Sequence, residues 1–318
     1  MSKELHNASS MALSGAGLFL RFLMLSLLWS GVACGTSGAG RQTRPPADGK
    51  RRLIDQVERV LFVAPNPSRI ISLAPSVTEI LFALGVEDRV VGVTNFCHFP
   101  DGVKPKTRIG DLQNPNLEVI VSLRPDLVIA TTSGNVKESI DKMAELNLAV
   151  YTLNASTLEE ILRSIRDVGD ITGTQQKAAA VVGDLRRRLL AVRQRGQGRP
   201  TPRVLYLIWH DPIVAPGGDS FITDGLRWAG GDSITADTKA RSPRYSAEEI
   251  IAKQPEYIFV PKGENPVTLS YFLESPGWAT LPAVIERRIY FISPAIQQPS
   301  PKLIDGIEEV AGILHGPP

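Results

Sequence analysis

The sequence predicts an α/β fold of two lobes, each a three-layer stack around a mostly parallel sheet, joined by a single long helix. Three observations predict it. Short apolar, β-branched runs alternate with segments of helical spacing, which is the pattern of βαβ units. Residues 175–195 contain no proline and are rich in Ala, Leu and Arg, so they read as one helix about 30 Å long. Beyond that helix the pattern restarts. Glu118-Val-Ile-Val-Ser-Leu-Arg-Pro-Asp-Leu-Val-Ile-Ala130 lines up with Glu248-Glu-Ile-Ile-Ala-Lys-Gln-Pro-Glu-Tyr-Ile-Phe-Val260 at an offset of 130 residues. Glu118/Glu248, Ile120/Ile250 and Pro125/Pro255 are identical in that alignment, and both lobes open on an Arg-led strand. The predicted division is a signal segment over 1–33, a flexible tether over 34–52, a first lobe over 53–173, a linking helix over 174–197 and a second lobe over 198–318.

In chain order, Arg69–Leu73 is short, apolar and β-branched, a buried strand stopped by Pro75. Ser76-Val-Thr-Glu79 has the spacing of a capping box and opens a helix to Leu84, with Gly85 as its stop. Arg89–Val93 reads as a strand, 117–123 as a helix, Leu127–Ala130 as a strand, Val136–Leu146 as a helix and Ala149–Leu153 as a strand. Leu158–Ile171 is a helix closed by Gly173. Gly196, Gly198 and Pro200 end the long helix. Arg203–Trp209 then reads as a strand, Phe221–Ala229 and Ala247–Ala252 as helices, Tyr257–Val260 and Arg288–Ile292 as strands, and Lys302–Leu314 as the last helix. Parallel sheets take ligands at the carboxyl ends of their strands, so two such lobes on one helix leave a cleft between facing strand ends.

Composition excludes several classes. Of 318 residues, 43% are hydrophobic, which is too apolar for a disordered chain, and 27 Gly and 24 Pro are too few for a fibrous one. Two cysteines, Cys34 and Cys97, make neither a disulfide scaffold nor a four-cysteine zinc site. A net charge of +2 gives no electrostatic case for nucleic acid. That charge is unevenly placed. Lys3 and Arg21 against Glu4 leave residues 1–33 at +1, and Arg41, Arg44, Lys50, Arg51 and Arg52 against Asp48 leave residues 34–52 at +4, so residues 53–318 carry −3.

Met11–Ala33 is apolar except for Arg21 and small polar residues, with Phe22–Trp29 as its dense part. This reads as a secretory signal segment, or, if uncleaved, a single-span anchor. Gly31-Val-Ala-Cys34 resembles a bacterial lipobox with Cys34 as the lipidated residue, although Gly31 stands where a bulkier residue is expected. The small, Pro and basic residues that follow make a tether. The expected location is the periplasm or cell surface, with membrane contact only through the N-terminal anchor.

Catalytic signatures are missing. There is no Gly-x-Ser-x-Gly elbow, no phosphate loop, no Gly-x-Gly-x-x-Gly after a strand and no His-Glu-x-x-His. The histidines are His6, His98, His210 and His315. No acid/base pair stands out, so the expectation is no enzyme and no intrinsic cofactor.

At this point the chain resembles a known family. Arg69-Ile-Ile-Ser-Leu-Ala-Pro-Ser-Val-Thr-Glu-Ile-Leu-Phe-Ala-Leu-Gly85, then Val90–Thr94, Leu117–Ala130, the restart at Arg203, Gly230-Gly231 and Ser246-Ala-Glu-Glu-Ile250 are similar to the substrate-binding proteins of ABC importers for cobalamin, iron-siderophores and haem. The similarity runs from about 68 to 315, and Phe96-Cys-His-Phe-Pro100, Asn114–Glu118 and Gly134-Asn135 place it nearest the cobalamin binders. The resemblance implies the class III periplasmic-binding-protein fold, with a ligand held between two lobes on a rigid helical backbone. It implies a transported cobalamin-like corrinoid or another metal chelate, and an ABC permease with its cytoplasmic ATPase as partners of a monomer. It also implies that Glu138 and Glu248, one per lobe, dock onto basic residues of the permease. The other reading of both is a solvated glutamate favoured by a helix start.

The cleft expected on that resemblance is lined by Phe96, His98, Phe99, Gln113, Thr132, Trp209, His210, Asp211, Arg241, Arg244, Tyr245 and Gln297. Cobalamin binders line their cleft with aromatics, but Thr131-Thr-Ser133 and Ser242-Pro243 stand here where aromatics are common. His98 and His210 could each offer an imidazole to a metal, or be polar loop residues. Arg241 and Arg244 could pair with an anionic ligand such as a ferric siderophore or a propionate, or be solvated. Cys97 reads as a small buried residue. An iron-siderophore or haem ligand, and a membrane-anchored sensor or scaffold on the same fold, remain open.

Overall fold

The computed structural model describes residues 49–263 and 267–316. The signal segment, Cys34, His6 and most of the tether lie outside the described residues.

The described chain begins with a hairpin, β1 (Arg51–Ile54) against β2 (Val60–Val63). The tether reading through residue 52 is therefore corrected: Arg51 pairs with Val63 and Arg52 with Phe62. The Arg51 guanidinium also donates to the carbonyls of Ile171 (3.0 Å) and Asp170 (3.2 Å). These sit at the end of a later helix, where orphan carbonyls favour a cation, so a basic residue expected to be flexible is held in place.

Next come β3 (Ile70–Ser72), α1 (Pro75–Ala83), β4 (Val90–Val93), β5 (Thr107–Arg108), α2 (Leu117–Ser122), β6 (Leu127–Thr131), α3 (Lys137–Glu145) and β7 (Val150–Leu153). The five strands β3–β7 form one parallel sheet in the order β5-β4-β3-β6-β7. The order reverses at β3, so the topological switch point lies beside the carboxyl ends of β3, β4 and β6. α4 (Leu158–Thr172) and α5 (Gln175–Gly196) follow without an intervening strand. α4 opens on a capping box between Thr157 and Glu160 and ends at Gly173 in the left-handed region, φ 75°.

The second half runs β8 (Arg203–Tyr206), β9 (Trp209–His210), β10 (Ile213–Val214), α6 (Phe221–Trp228), β11 (Asp232–Ser233), β12 (Arg244–Tyr245), α7 (Ala247–Ala252), β13 (Tyr257–Pro261), α8 (Leu269–Glu274), α9 (Pro282–Ile285), β14 (Ile289–Ile292) and α10 (Leu303–His315). Its main sheet is parallel, in the order β11-β8-β13-β14. A small antiparallel sheet, β12-β10-β9, sits apart from it. This corrects the reading of 203–209 as one strand. The Leu207 amide still bonds to Phe259 of the main sheet, but the Ile208 amide turns to Val214, so the chain changes sheets there.

A second correction concerns the start of α1. The expected capping box from Ser76 to Glu79 is absent: the N-cap is Ala74, extended at φ −158°, with no side-chain cap. Pro75 explains the shift. Its fixed φ and missing N–H suit the first helical position, so the N-cap moves two residues earlier, from Ser76 to Ala74, and Ser76 falls inside the helix. Ser76 and Glu79 are thereby freed from capping, and both are buried.

Each main sheet is covered on both faces. A cluster of Ile71, Ile109, Ile120, Val128, Ile140 and Met143 fills one face of the first. Leu205, Ile258, Val260, Phe272 and Trp278 fill one face of the second. The other faces share one continuous core, which passes from Val77 and Leu81 of α1 through Leu162 and Ile165 of α4, Val182 and Leu189 of α5, to Leu226 of α6 and Ile307 of α10. α5 spans 22 residues and buries Ala178, Val182, Leu185, Leu189 and Val192, a 4-3-4-3 spacing that makes one apolar stripe. α4 comes very close to it: a Cβ on Gly169 would sit 2.5 Å from that of Ala178. Among the described residues, no helix is long and apolar enough to cross a membrane.

Candidate ligand-binding cleft

Where strand ends of the two sheets face one another, a cavity of about 650 Å³ opens, within the usual size range of small-molecule sites. The first lobe supplies the start of α1 (Ala74, Pro75, Ser76, Glu79), the loop after β4 (Phe96, His98, Phe99), Leu112, and the turn after β6 (Thr131–Gly134). The second lobe supplies Ile208, the start of α6 (Ser220, Phe221, Ile222), Arg241 and Ser242, and the segment between β14 and α10, including Ser293, Gln297 and Lys302.

The first-lobe loops are held by one side chain. Asn135 donates to the carbonyls of Leu73 (2.8 Å) and Leu112 (2.9 Å) and accepts from the Thr131 amide (2.8 Å). The ends of β3 and β6 and the loop before α2 are thus fixed by a single amide. Behind them Cys97 is buried, its Sγ 3.2 Å from the hydroxyls of both Thr78 and Thr94. Phe96 and Phe99 are about half exposed, an apolar surface open to a ligand.

Three contacts span the cavity. Arg241 reaches from the second lobe to Thr132 Oγ1 (3.0 Å), Ser133 Oγ (3.4 Å), Asn154 Oδ1 (2.6 Å) and Ser156 Oγ (3.2 Å) of the first. All four acceptors are neutral, so the guanidinium is solvated by protein but not neutralised there. Lys302 Nζ stands 3.5 Å from the Phe99 ring centroid, a cation–π contact. On the floor, the Ser300 hydroxyl donates to Glu79. Burial holds the Glu79 carboxyl above its ordinary value; the Ser300 hydrogen bond and Lys302 oppose that rise, and Asp305 adds to it.

Of the side chains expected in the cleft, Phe96, His98, Phe99, Thr132, Arg241 and Gln297 line this cavity together. Gln113, Trp209, His210, Asp211, Arg244 and Tyr245 do not line it. Trp209, His210 and Asp211 lie at the small antiparallel sheet: Trp209 Nε1 donates to the Asp211 carbonyl (2.8 Å), and the His210 ring packs edge-on to Tyr271. Arg244 pairs through its backbone with Val214, and the Tyr245 hydroxyl donates to the Thr235 carbonyl (3.2 Å). With the departure of Ile208 from the main sheet, Trp209 and His210 pair with Val214 and Ile213 instead of extending β8. Gln113 offers its carbonyl to Ser139. Of the two histidines, His98 lines the cavity and His210 does not. Among the described residues no group of three or more His, Cys, Asp or Glu is placed to hold a metal ion. Glu138 and Glu248 are exposed in the first turns of α3 and α7.

Sequence reasoning missed Glu79 and Lys302 as cavity groups, and Ser300 as the buried partner of Glu79. Glu79 carried a spacing that had a local explanation, and Ser300 lies 221 residues away from it.

Comparison with known proteins agrees with this geometry. Residues 70–295 match the family described as periplasmic binding protein. The chain belongs to that family. That family is one of binding proteins. The chain is 29% identical over 257 residues to a vitamin B12-binding protein of Vibrio parahaemolyticus, covering 79% of this chain and 90% of that one. An ABC transporter substrate-binding lipoprotein of Bacillus subtilis is 28% identical over 313 residues, 94% of this chain and 97% of that one. Among solved structures, the periplasmic vitamin B12-binding protein of Vibrio cholerae superposes with a TM-score of 0.69 at 28% identity, covering 78% of this chain and 96% of that one. The apo periplasmic haem-binding protein of Roseiflexus sp. RS-1 gives a TM-score of 0.70 at 26% identity, covering 78% and 98%. The family's description is that of periplasmic proteins, and the names of the relatives tie those proteins to vitamin B12 and to ABC transport.

Proposed function

We propose that this protein binds a cobalamin-like corrinoid in the cavity between its lobes and delivers it to an ABC permease driven by a cytoplasmic ATPase. The observation that carries the reading is the interlobe cavity at facing strand ends, with exposed Phe96 and Phe99 beside a few hydrogen-bonding groups, in a chain similar to vitamin B12-binding proteins. Phe96, His98, Phe99, Thr132, Arg241 and Gln297 are the proposed contacts. Apolar burial supplies most of the affinity, and the polar groups set orientation. The shared core across α4, α5 and α10 supports a small hinge motion between two lobes divided near 53–173 and 198–318, with 174–197 between them. Glu138 and Glu248 are the proposed permease contacts, Cys34 is the proposed lipid anchor, and the working unit is a monomer.

A second reading has its own support. Arg241 and Lys302 put two cations on the lining, and neither Trp nor Tyr is among the lining residues, which favours an anionic chelate such as haem or a ferric siderophore. Calorimetric titration of the mature protein with cyanocobalamin, haemin and a ferric siderophore decides between them. Saturable heat with cyanocobalamin alone supports the corrinoid; no heat and no thermal shift at high excess overturns it.

A further inference from the structure

Glu79 is an acidic residue on the buried face of α1, among Val77, Ile80 and Leu81. An apolar side chain would satisfy that packing, so the carboxyl carries a desolvation cost that packing does not explain. With Ala74 as the N-cap, Glu79 lies beyond the first turn and offers no cap. What it does meet is Ser300, from the segment between β14 and α10. The Ser300 hydroxyl also accepts from the Lys302 amide (3.2 Å), and the Ser300 carbonyl accepts from Leu303 (3.1 Å), so it is itself built into the start of α10. Glu79 lines the cavity, Ser300 is buried between the lining residues Pro299 and Lys302, and the bond crosses from one lobe to the other.

We propose that Glu79 is a positioning residue that pins the Ser293–Lys302 segment of the second lobe to α1 of the first through Ser300 and so sets the shape of the cavity floor. The part of this that concerns a ligand rests on the binding function proposed above; the pin itself does not. The charged groups near Glu79 are Lys302 and Asp305 at the start of α10, with His98 and Arg241 also on the cavity lining. An amide in place of the carboxyl keeps an acceptor for the Ser300 hydroxyl, whereas a methyl group does not.

The test uses the unliganded full chain and the variants Ser300→Ala, Glu79→Ala and Glu79→Gln. Amide hydrogen exchange is followed over residues 74–82 and 293–304, with β6 and β13 as internal references. Glu79→Ala and Ser300→Ala are expected to speed exchange in both segments at least tenfold, with the reference strands unchanged, and Glu79→Gln is expected to restore wild-type rates. Unchanged exchange in Ser300→Ala, or Glu79→Gln behaving as Glu79→Ala, would overturn the pin. The same variants are titrated with cyanocobalamin and haemin. Whichever the wild type binds should be held about tenfold more weakly by Glu79→Ala and Ser300→Ala and normally by Glu79→Gln; equal binding by all of them overturns the coupling to the ligand. A wild type that binds neither defeats the proposed function, and the exchange result still decides the pin.

Discussion

Replacing Asn135 by Ala should destabilise the first lobe at the cavity edge. The side chain makes three hydrogen bonds of 2.8–2.9 Å, two to carbonyls at the ends of β3 and before α2, and one from the last residue of β6. Each such bond contributes about 0.5–1.5 kcal/mol net, and more where a buried partner is left unpaired. The loss is therefore about 2–4 kcal/mol. For a chain of this size about 1 kcal/mol shifts the thermal midpoint by roughly 2–4 °C, so a fall of roughly 5–12 °C is expected. Differential scanning calorimetry measures it. Asn135→Asp is the sharper variant: it keeps the acceptor for Thr131 but turns a charged oxygen toward two carbonyls, so it should be no better than Asn135→Ala. A midpoint within about 2 °C of wild type for Asn135→Ala, or a fully stable Asn135→Asp, would refute the reasoning.

Further outcomes follow from other sites. His315 is buried against Gly196 and Gly230 with its Nε2 unpartnered, and burial lowers its pKa below 6.5, with Arg199 assisting and the Ala229 carbonyl opposing. A lowered pKa means that the unfolded chain binds more protons in the window below 6.5, so stability is full above that value and falls as pH drops through the window. Thermal melts of His315→Gln against wild type from pH 7 to 5 should converge toward low pH; because the raised pKa of Glu79 acts with opposite sign, lost as pH rises, the difference between the two proteins is the quantity to read. Gly169→Ala places a Cβ 2.5 Å from that of Ala178; it should lower the thermal midpoint by an overpacking cost of about 1–3 kcal/mol, partly offset by better helix propensity, and adding Ala178→Gly should restore it. Reversing Glu138 and Glu248 to Lys together should abolish uptake in cells while leaving ligand affinity in solution unchanged; uptake that survives makes them ordinary surface carboxylates.

Periodicity and stop signals alone determined the alternation of strands and helices, the parallel character of both main sheets and the existence of a cleft between facing strand ends. These are local properties: β-branched runs, a 4-3 apolar stripe over α5 and Gly173 at a helix end all write themselves into adjacent residues. The Ser76–Glu79 spacing shows where local reading stops. The same residues could cap a helix or floor a cavity, and Pro75, by taking the first helical position, decided for the floor. The strand reading through Trp209 failed for a related reason, since only the pairing of Ile208 with Val214 shows that the chain leaves its sheet. Everything that closes the cleft depended on tertiary structure: Arg241 on Asn154, Lys302 over Phe99, Ser300 on Glu79. Such contacts join residues 87 to 221 positions apart, and hydrogen bonds at that range leave no repeat or spacing in the sequence. They exist because one shared core of α4, α5, α6 and α10 sets the two lobes face to face.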